Sequence, residues 1–359
     1  MVLRNSLTEQ LGIRYPIIQA PMAGGVTTSE LVAAVSNAGG LGMIGAGYMT
    51  PQQTREQIRE LKQLTVKSFG INLFVPNDFH HCEKEVKTAQ ALLKPFYKEL
   101  GLEEKVFSLP TKEKTVATFK EQLQLIIEEQ VPICSFTFGL PTVEQIKELK
   151  KNKITLIGTA TTIEEAERNE AAGMDMVVMQ GTEAGGHRGT FSHEAKDGYI
   201  GLMSLIPQAV DSVNIPVIAA GGIMDGRGVS AALCLGAYAV QMGTAFLTCV
   251  ESGANQVHKE AILQASADDV VLTRAFSGKW ARGIDNRFIA EMKGNEEQLP
   301  GFPIQNTLTK ALRGAASSQG IPDFMSLWSG QSPMLAKMQT VHELIETICN
   351  ETKIKLNIS

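Results

Sequence analysis

Residues 169–181 read NEAAGMDMVVMQG, and the parsing of that run decides the fold. A helical stretch ends on Ala171-Ala172, Gly173 stops it, and the apolar run Met176-Val177-Val178-Met179 leaves through Gly181. Apolar side chains on successive residues, without alternation, mark a parallel strand covered on both faces. The same grammar of helix end, glycine, short connector, apolar strand and exit glycine recurs at 36–47 (SNAGGLGMIGAG) and 233–243 (LCLGAYAVQMG). Each copy is one βα unit meeting the next, and the irregular spacing excludes a solenoid.

Working outward, eight such strands can be marked, at 15–22, 40–47, 68–75, 131–139, 154–160, 174–181, 215–222 and 237–247. Between them lie helix signals. Thr28 or Ser29 stands as an N-cap before ELVAAVSN, Pro51 follows Thr50 at a first-turn position, and TVEQIKELKKN and TIEEAERNEAAG open on threonine with acids in the first turn. Eight strands, each followed by a helix, predict an α/β protein of the (β/α)8 TIM-barrel type over about residues 10–250. Residues 77–130 exceed one helix and are read as a helical insertion within that barrel. Residues 251–359 are read as a C-terminal helical extension, packed on the barrel or forming a lid beside its mouth. LPGFPIQN (299–306), with two prolines, reads as a linker.

Composition narrows the function. Of 359 residues, 43% are hydrophobic and 20% charged, an ordinary globular balance. A net charge of −5 argues against nucleic acid or an anionic membrane as partner. The five cysteines are scattered without metal-ligand spacing, so no metal is expected and the thiols are read as reduced. The first residues lack the apolar core of a signal peptide, and no run approaches the length of a membrane span, which predicts a cytoplasmic protein. A homodimer is left open.

Chemistry in such a barrel gathers at the C-terminal ends of the strands. Those ends carry Ala20-Pro21-Met22, Asn72, Ser135 to Thr137, Thr159, Gln180 through Gly189, Ala220-Gly221-Gly222 and Gln241-Met242-Gly243-Thr244. The last two sets follow strands seven and eight, where barrels hold phosphate with backbone N–H groups. The stretch QGTEAGGHRGTF (180–191) sets Glu183, His187 and Arg188 among Gly181, Gly185, Gly186 and Gly189. Glycine lets a backbone approach a ligand closely or take positive φ, at an entropic cost.

These motifs carry a resemblance. Residues 14–47, FGINLF (69–74), QGTEAGGHRG (180–189), PVIAAGGIMDGRG (216–228) and QMGTAFL (241–247) resemble the nitronate monooxygenase family, with SGKWARGIDNRF (277–288) and LWSGQS (327–332) extending the likeness. FMN-dependent enoyl-ACP reductases share part of the set. The resemblance implies an FMN enzyme that oxidises alkyl nitronates with O2 to carbonyl compounds and nitrite. It places Ala20, Pro21 and Met22 against the flavin ring, Asn72 and Gln180 on the ring or ribityl chain, and Gly185, Gly221 and Gly222 along the cofactor. Gln241, Met242, Gly243 and Thr244 would cradle its phosphate, and His187 would be the catalytic residue, as base or charge stabiliser. The competing reading is an NAD(P)H-dependent FMN reductase on the same scaffold, and a third is a flavin-binding protein without turnover.

Each residue also has a plainer reading. His187 could hydrogen-bond only its own loop. Glu183 could orient His187 or cap the next turn, and Arg188 could be a surface ion-pair member. Asn72 could merely stabilise its strand exit. His80-His81-Cys82 looks like a metal cluster, but adjacent residues point apart and no fourth ligand is evident, so a solvated face is expected. His193, His258 and His342 receive no role. Met174, Met176, Met179 and Met242 read as core filling.

Overall fold

The computed structural model describes residues 3–80, 82–102, 107–192 and 199–357. The chain enters through helix α1 (Ser6–Leu11), closed by a capping box on Asn5 and an αL Gly12. It then alternates β1 (Ile17–Gln19), α2 (Ser29–Asn37), β2 (Gly42–Gly45), α3 (Pro51–Leu64) and β3 (Phe69–Phe74). Two helices follow, α4 (Glu83–Glu99) and α5 (Lys112–Glu128), before β4 (Ile133–Thr137), α6 (Val143–Lys151), β5 (Thr155–Ala160), α7 (Ile163–Ala172) and β6 (Met176–Gln180). After the two-residue β7 (Gly186–His187) come α8 (Leu202–Ser212), β8 (Val217–Ala220), α9 (Gly226–Cys234), β9 (Ala239–Met242) and the single turn α10 (Thr244–Leu247). The remainder holds α11 (Gln256–Gln264), β10 (Val270–Thr273), β11 (Ala281–Ile284), α12 (Arg287–Met292), α13 (Ile304–Gln319) and α14 (Val341–Lys355).

Eight parallel strands pair in the order β1-β9-β8-β6-β5-β4-β3-β2. The seam between β1 and β2 closes through Leu41, whose N–H donates to Ile17 O and whose carbonyl accepts from Gln19 N, both at 2.9 Å. This is the TIM barrel that the apolar runs predict. Its strands bury both faces, with period two. Ile18, Met43, Ile133, Ile157, Val178 and Ile218 fill the interior, where Leu7 and Leu11 of α1 join them and plug one end. The alternate residues, such as Val177, Met179, Val217 and Val240, pack outward against helices. Met174, Met176, Met179 and Met242 are buried in these layers, as core filling requires.

Two arrangements depart from a plain barrel. The turn after the eighth barrel strand, α10, has only four residues, too short to cover β9 and β1. Helix α14, from the far end of the chain, packs against α9 and α2 and takes that place, burying Val341, Leu344, Ile345 and Ile348 in the same core as Ile17, Val240 and Met242. The second departure is a three-stranded sheet, β10-β11-β7, in which His187 pairs with Ala281 and Gly186 with Arg282. The glycine loop read from sequence is therefore tied to a hairpin about a hundred residues downstream.

The segment 299–306 is not a loose linker. Leu299 is buried, Ile304 begins α13, and the pieces belong to a second core in which α4 (Val86, Leu93, Phe96) meets Phe276, Phe288, Leu308 and Phe324. A proline pair suggests a linker only when nothing packs on the residues between, and here Phe302 packs inward.

Candidate active site

The cavity at the C-terminal end of the barrel is lined by the strand-exit residues picked out by sequence. Ala20, Pro21, Met22, Asn72, Gln180, Gly185, His187, Gly221, Gly222, Gln241, Met242, Gly243 and Thr244 all border it. It encloses about 1350 Å³ including its open mouth.

The loop that carries His187 is built from its stem upward. Gln180, the last residue of β6, accepts from Gly189 N at 2.8 Å and donates to His187 O at 3.0 Å, so its amide bridges both ends of the loop. Arg188 is 2% exposed and lies under the loop, donating to Gly181 O at 2.7 Å and Gln180 O at 3.1 Å. The surface placement read for Arg188 is thus overturned, because its guanidinium is buried where it serves carbonyls at the strand exit. Burial pushes its pKa down to about 10. Glu183 accepts from Leu202 N at 2.9 Å, which decides for capping α8.

Farther along, Glu165 of α7 is fully buried. One carboxylate oxygen takes Thr190 Oγ1, Phe191 N, Ser192 N and Ser192 Oγ, and the other takes Thr161 N and Oγ1. Burial pushes its pKa up, but donation from the amides of Phe191, Ser192 and Thr161 outweighs that and leaves it below the ordinary carboxylate value.

His187 emerges from this frame into a ring of aromatics. Its imidazole lies 5.5 Å from Trp328, 6.0 Å from Phe138 and 6.1 Å from Phe302, centroid to centroid. Its Nε2 is 2.8 Å from Ser277 Oγ. Burial pushes its pKa down to about 3, helped by the positive charges of Lys279 and Arg313. The imidazole is neutral near pH 7. Phe138 holds φ +72°, a strained backbone for a bulky residue, and its ring meets both His187 and the Lys279 ammonium, the latter 4.8 Å from the ring centre. Lys279 donates to Thr190 O at 3.1 Å, and burial pushes its pKa down to about 8.

A strap from the C-terminal region crosses the cavity edge. Gly330 N donates to Thr244 Oγ1 at 2.9 Å and Gln331 N to Glu183 O at 3.0 Å. A Cβ on Gly185 would stand 2.5 Å from Ser329 C and 2.6 Å from Gly330 N, so only glycine lets loop and strap meet. His258, with no role from sequence, is buried behind the strap, its Nε2 3.0 Å from Trp328 O, and burial pushes its pKa down to about 4. Asn72 is 2% exposed and donates to Ser135 Oγ at 2.9 Å and Thr137 Oγ1 at 3.1 Å, which turns its carbonyl oxygen away from those hydroxyls.

Sequence reasoning missed Ser277, Lys279, Phe302, Trp328 and Phe138 as site-forming residues. Ser277, Lys279 and Trp328 lie in the stretches SGKWARGIDNRF and LWSGQS that carry the family likeness, and Phe138 lies at the end of a run read as a strand, but no local pattern shows that these side chains converge on His187. His81 and His193 lie outside the described residues. Among the described residues, no three His, Cys, Asp or Glu side chains are placed to hold a metal ion, and no helix is long and apolar enough to cross a membrane.

The donor set suits a phosphorylated, flat cofactor. Gly221 and Gly222 hold φ +139° and +63°, and a Cβ on either would press Ala184 N or Glu183 Cβ at 3.1 Å. Among the described residues no acceptor meets the amides of Gly222, Gly243 or Thr244, which line the cavity at the ends of the seventh and eighth barrel strands, and such groups are suited to an anion. Gly243 has no neighbour nearer than 3.6 Å to its virtual Cβ. The protein's own packing therefore does not demand glycine there.

The family model described as nitronate monooxygenase matches residues 4–351. The chain belongs to the nitronate monooxygenase family. A probable nitronate monooxygenase of Staphylococcus haemolyticus is 51% identical, covering 100% of this chain and 99% of that protein, and one of Staphylococcus aureus is 50% identical over 97% of each. Among solved structures, nitroalkane oxidase from Streptomyces ansochromogenes has a TM-score of 0.90 at 38% identity, covering 98% of this chain and 99% of that one. FabK from Thermotoga maritima has a TM-score of 0.77 at 34% identity, covering 99% and 97%. This nitronate monooxygenase family member is an oxidoreductase, and its family and neighbours are generally flavin-dependent.

Proposed function

We propose that the chain oxidises alkyl nitronates with O2 to carbonyl compounds and nitrite, using FMN held in the barrel mouth. The observation that carries this reading is one cavity lined both by the imidazole of His187, within its aromatic ring, and by the amides of Gly222, Gly243 and Thr244, which no described protein group accepts from. FMN, when bound, supplies the electron transfer and the reaction with O2. Its phosphate would be held by those amides with the Thr244 hydroxyl, which accepts from Gly330 and keeps its own hydrogen to donate. Ala20 to Met22, Asn72, Gln180, Gly185, Gly221, Gln241 and Met242 would border the rest of it.

The chain's own part is to receive the substrate and handle its proton. A neutral nitroalkane must lose its α-proton, and a neutral imidazole in the aromatic ring can take it. A substrate already in the nitronate form needs no base. Arg188 is engaged by carbonyls beneath the loop, and burial keeps His187 uncharged near neutral pH, so the imidazole acts as the base rather than as a cation toward the nitro oxygens.

Anaerobic mixing with a nitronate, and separately with NADH and NADPH, tests the reading through flavin absorbance. Bleaching by the nitronate is expected, and bleaching by the nicotinamides alone would transfer the chain to the reductases. His187→Asn is expected to keep FMN and to lose roughly 10²–10⁴-fold on neutral nitroalkanes, with a smaller loss on preformed nitronates. Equal losses on both forms would remove the base role.

A further inference from the structure

We infer that Ser277 is the positioning residue that fixes the tautomer of His187, placing the ring hydrogen on Nε2 and leaving Nδ1 as the proton-accepting nitrogen. This rests on the base role proposed above but is a separate statement about where the hydrogen sits.

The argument is a count of hydrogens. Ser277 Oγ has three polar neighbours, His187 Nε2 at 2.8 Å, Lys279 O at 3.0 Å and Lys279 N at 3.3 Å. A serine hydroxyl has one hydrogen and two lone pairs. The Lys279 carbonyl can only accept, so at 3.0 Å it takes the hydroxyl hydrogen. Otherwise two oxygen lone pairs would face each other at hydrogen-bond distance. Lys279 N can only donate, so it takes one lone pair. The neighbour left for the second lone pair is His187 Nε2, which must therefore carry a hydrogen. A neutral imidazole has one N–H, and among the described residues no protein group bonds Nδ1.

The surrounding structure makes this assignment rigid. Ser277 is 2% exposed, and its backbone belongs to a tight turn in which Ser277 N and Gly278 N both bond Arg274 O. His187 is held from the other side by its pairing with Ala281 and by Arg188 N donating to Trp280 O at 2.9 Å. The turn that sets the tautomer and the strand that sets the histidine's backbone thus lie within five residues of each other. Ser277 touches neither substrate nor cofactor in this account, and it acts through His187.

The test reads the hydrogen directly. In holoenzyme labelled with ¹⁵N-histidine, long-range proton–nitrogen spectra near neutral pH report each ring's tautomer, and the His187 signal is the one that His187→Asn removes. The Nε2–H pattern is expected for His187. A Nδ1–H pattern overturns the inference. In Ser277→Ala the signal is expected to move toward a tautomer mixture, with kcat/KM on a neutral nitroalkane falling roughly 10–100-fold, by analogy with the groups that orient metal-bound histidines. Flavin content and kcat/KM on a preformed nitronate are expected to change little, and Ser277→Thr, which keeps the hydroxyl, to restore the tautomer. An unchanged spectrum in Ser277→Ala overturns the positioning role. If the spectra behave as expected while His187→Asn leaves the nitroalkane rate intact, the tautomer assignment stands and the base role falls.

Discussion

At His187 the same feature, burial among Phe138, Phe302 and Trp328, decides both the charge state and the pH behaviour. Removing water from an imidazole disfavours its cation, and Lys279 and Arg313 disfavour it further. A base acts in its unprotonated form, so lowering its pKa moves the acid limb of activity to lower pH. For a neutral nitroalkane, kcat/KM should stay level as pH falls through about 6.5, the ordinary histidine value, and decline only on approach to about 3. Initial rates between pH 8 and 5 with nitroalkane check this. An acid limb centred at the ordinary value would mean that the imidazole is solvated or acts as the cation. The residue itself was legible in the sequence, because a histidine among four glycines after an apolar run stands at a strand exit. Its aromatic surround was not, since Phe138, Phe302 and Trp328 come together only through tertiary packing.

The loop after β6 is best understood as an element with two anchors. Gln180 and Arg188 hold its stem, and the carboxylate of Glu165 gathers Thr190, Phe191 and Ser192 at its far end. Replacing Glu165 by Gln turns one acceptor oxygen into an amide donor that faces either the Thr161 amide or the Thr190–Ser192 group. One buried N–H, that of Thr161, or two, those of Phe191 and Ser192, are then orphaned and the remaining bonds lose their charge. A loss of roughly 2–4 kcal/mol in urea unfolding is expected, with faster hydrogen exchange at Phe191 and Ser192 and a lower rate on nitroalkane. Unchanged stability would show that the loop is held elsewhere. The barrel strands and this loop differ in legibility for one physical reason. A parallel strand buried on both faces writes its apolar run into the sequence, as MVVMQ does. Strand β7 is only Gly186-His187 and owes its existence to Ala281 and Arg282, so no local pattern announces it. Glu165 likewise reads as one more acid in the first turn of α7 and gives no sign of its six donors.

For the whole molecule the question is whether residues 251–359 are an appendage, the division at about residue 250 that the sequence suggests. The run TVHELIETICN can be read locally as a helix, but no local signal says that it takes the eighth helical place of a barrel whose own eighth turn, α10, is four residues long. Ile348 is 1% exposed against the layer that holds Ile17 and Val240, whereas Ile354 on the same helix is 73% exposed. Ile348→Ala should cost about 2–5 kcal/mol, the range for truncating a buried isoleucine, while Ile354→Ala should stay within about 0.5 kcal/mol. The same geometry predicts how the molecule comes apart. Both tryptophans, Trp280 and Trp328, lie after residue 250, and far-UV circular dichroism is weighted by the barrel's many helices. If α14 is a wall of the barrel and the His187 strand is tied to β11, the two regions share one cooperative transition. Tryptophan fluorescence and circular dichroism should then give the same urea midpoint in the wild type, and Ile348→Ala should move both together. Two separated midpoints, with fluorescence changing while the barrel signal persists, would show that the C-terminal region folds on its own and that the barrel closes without it.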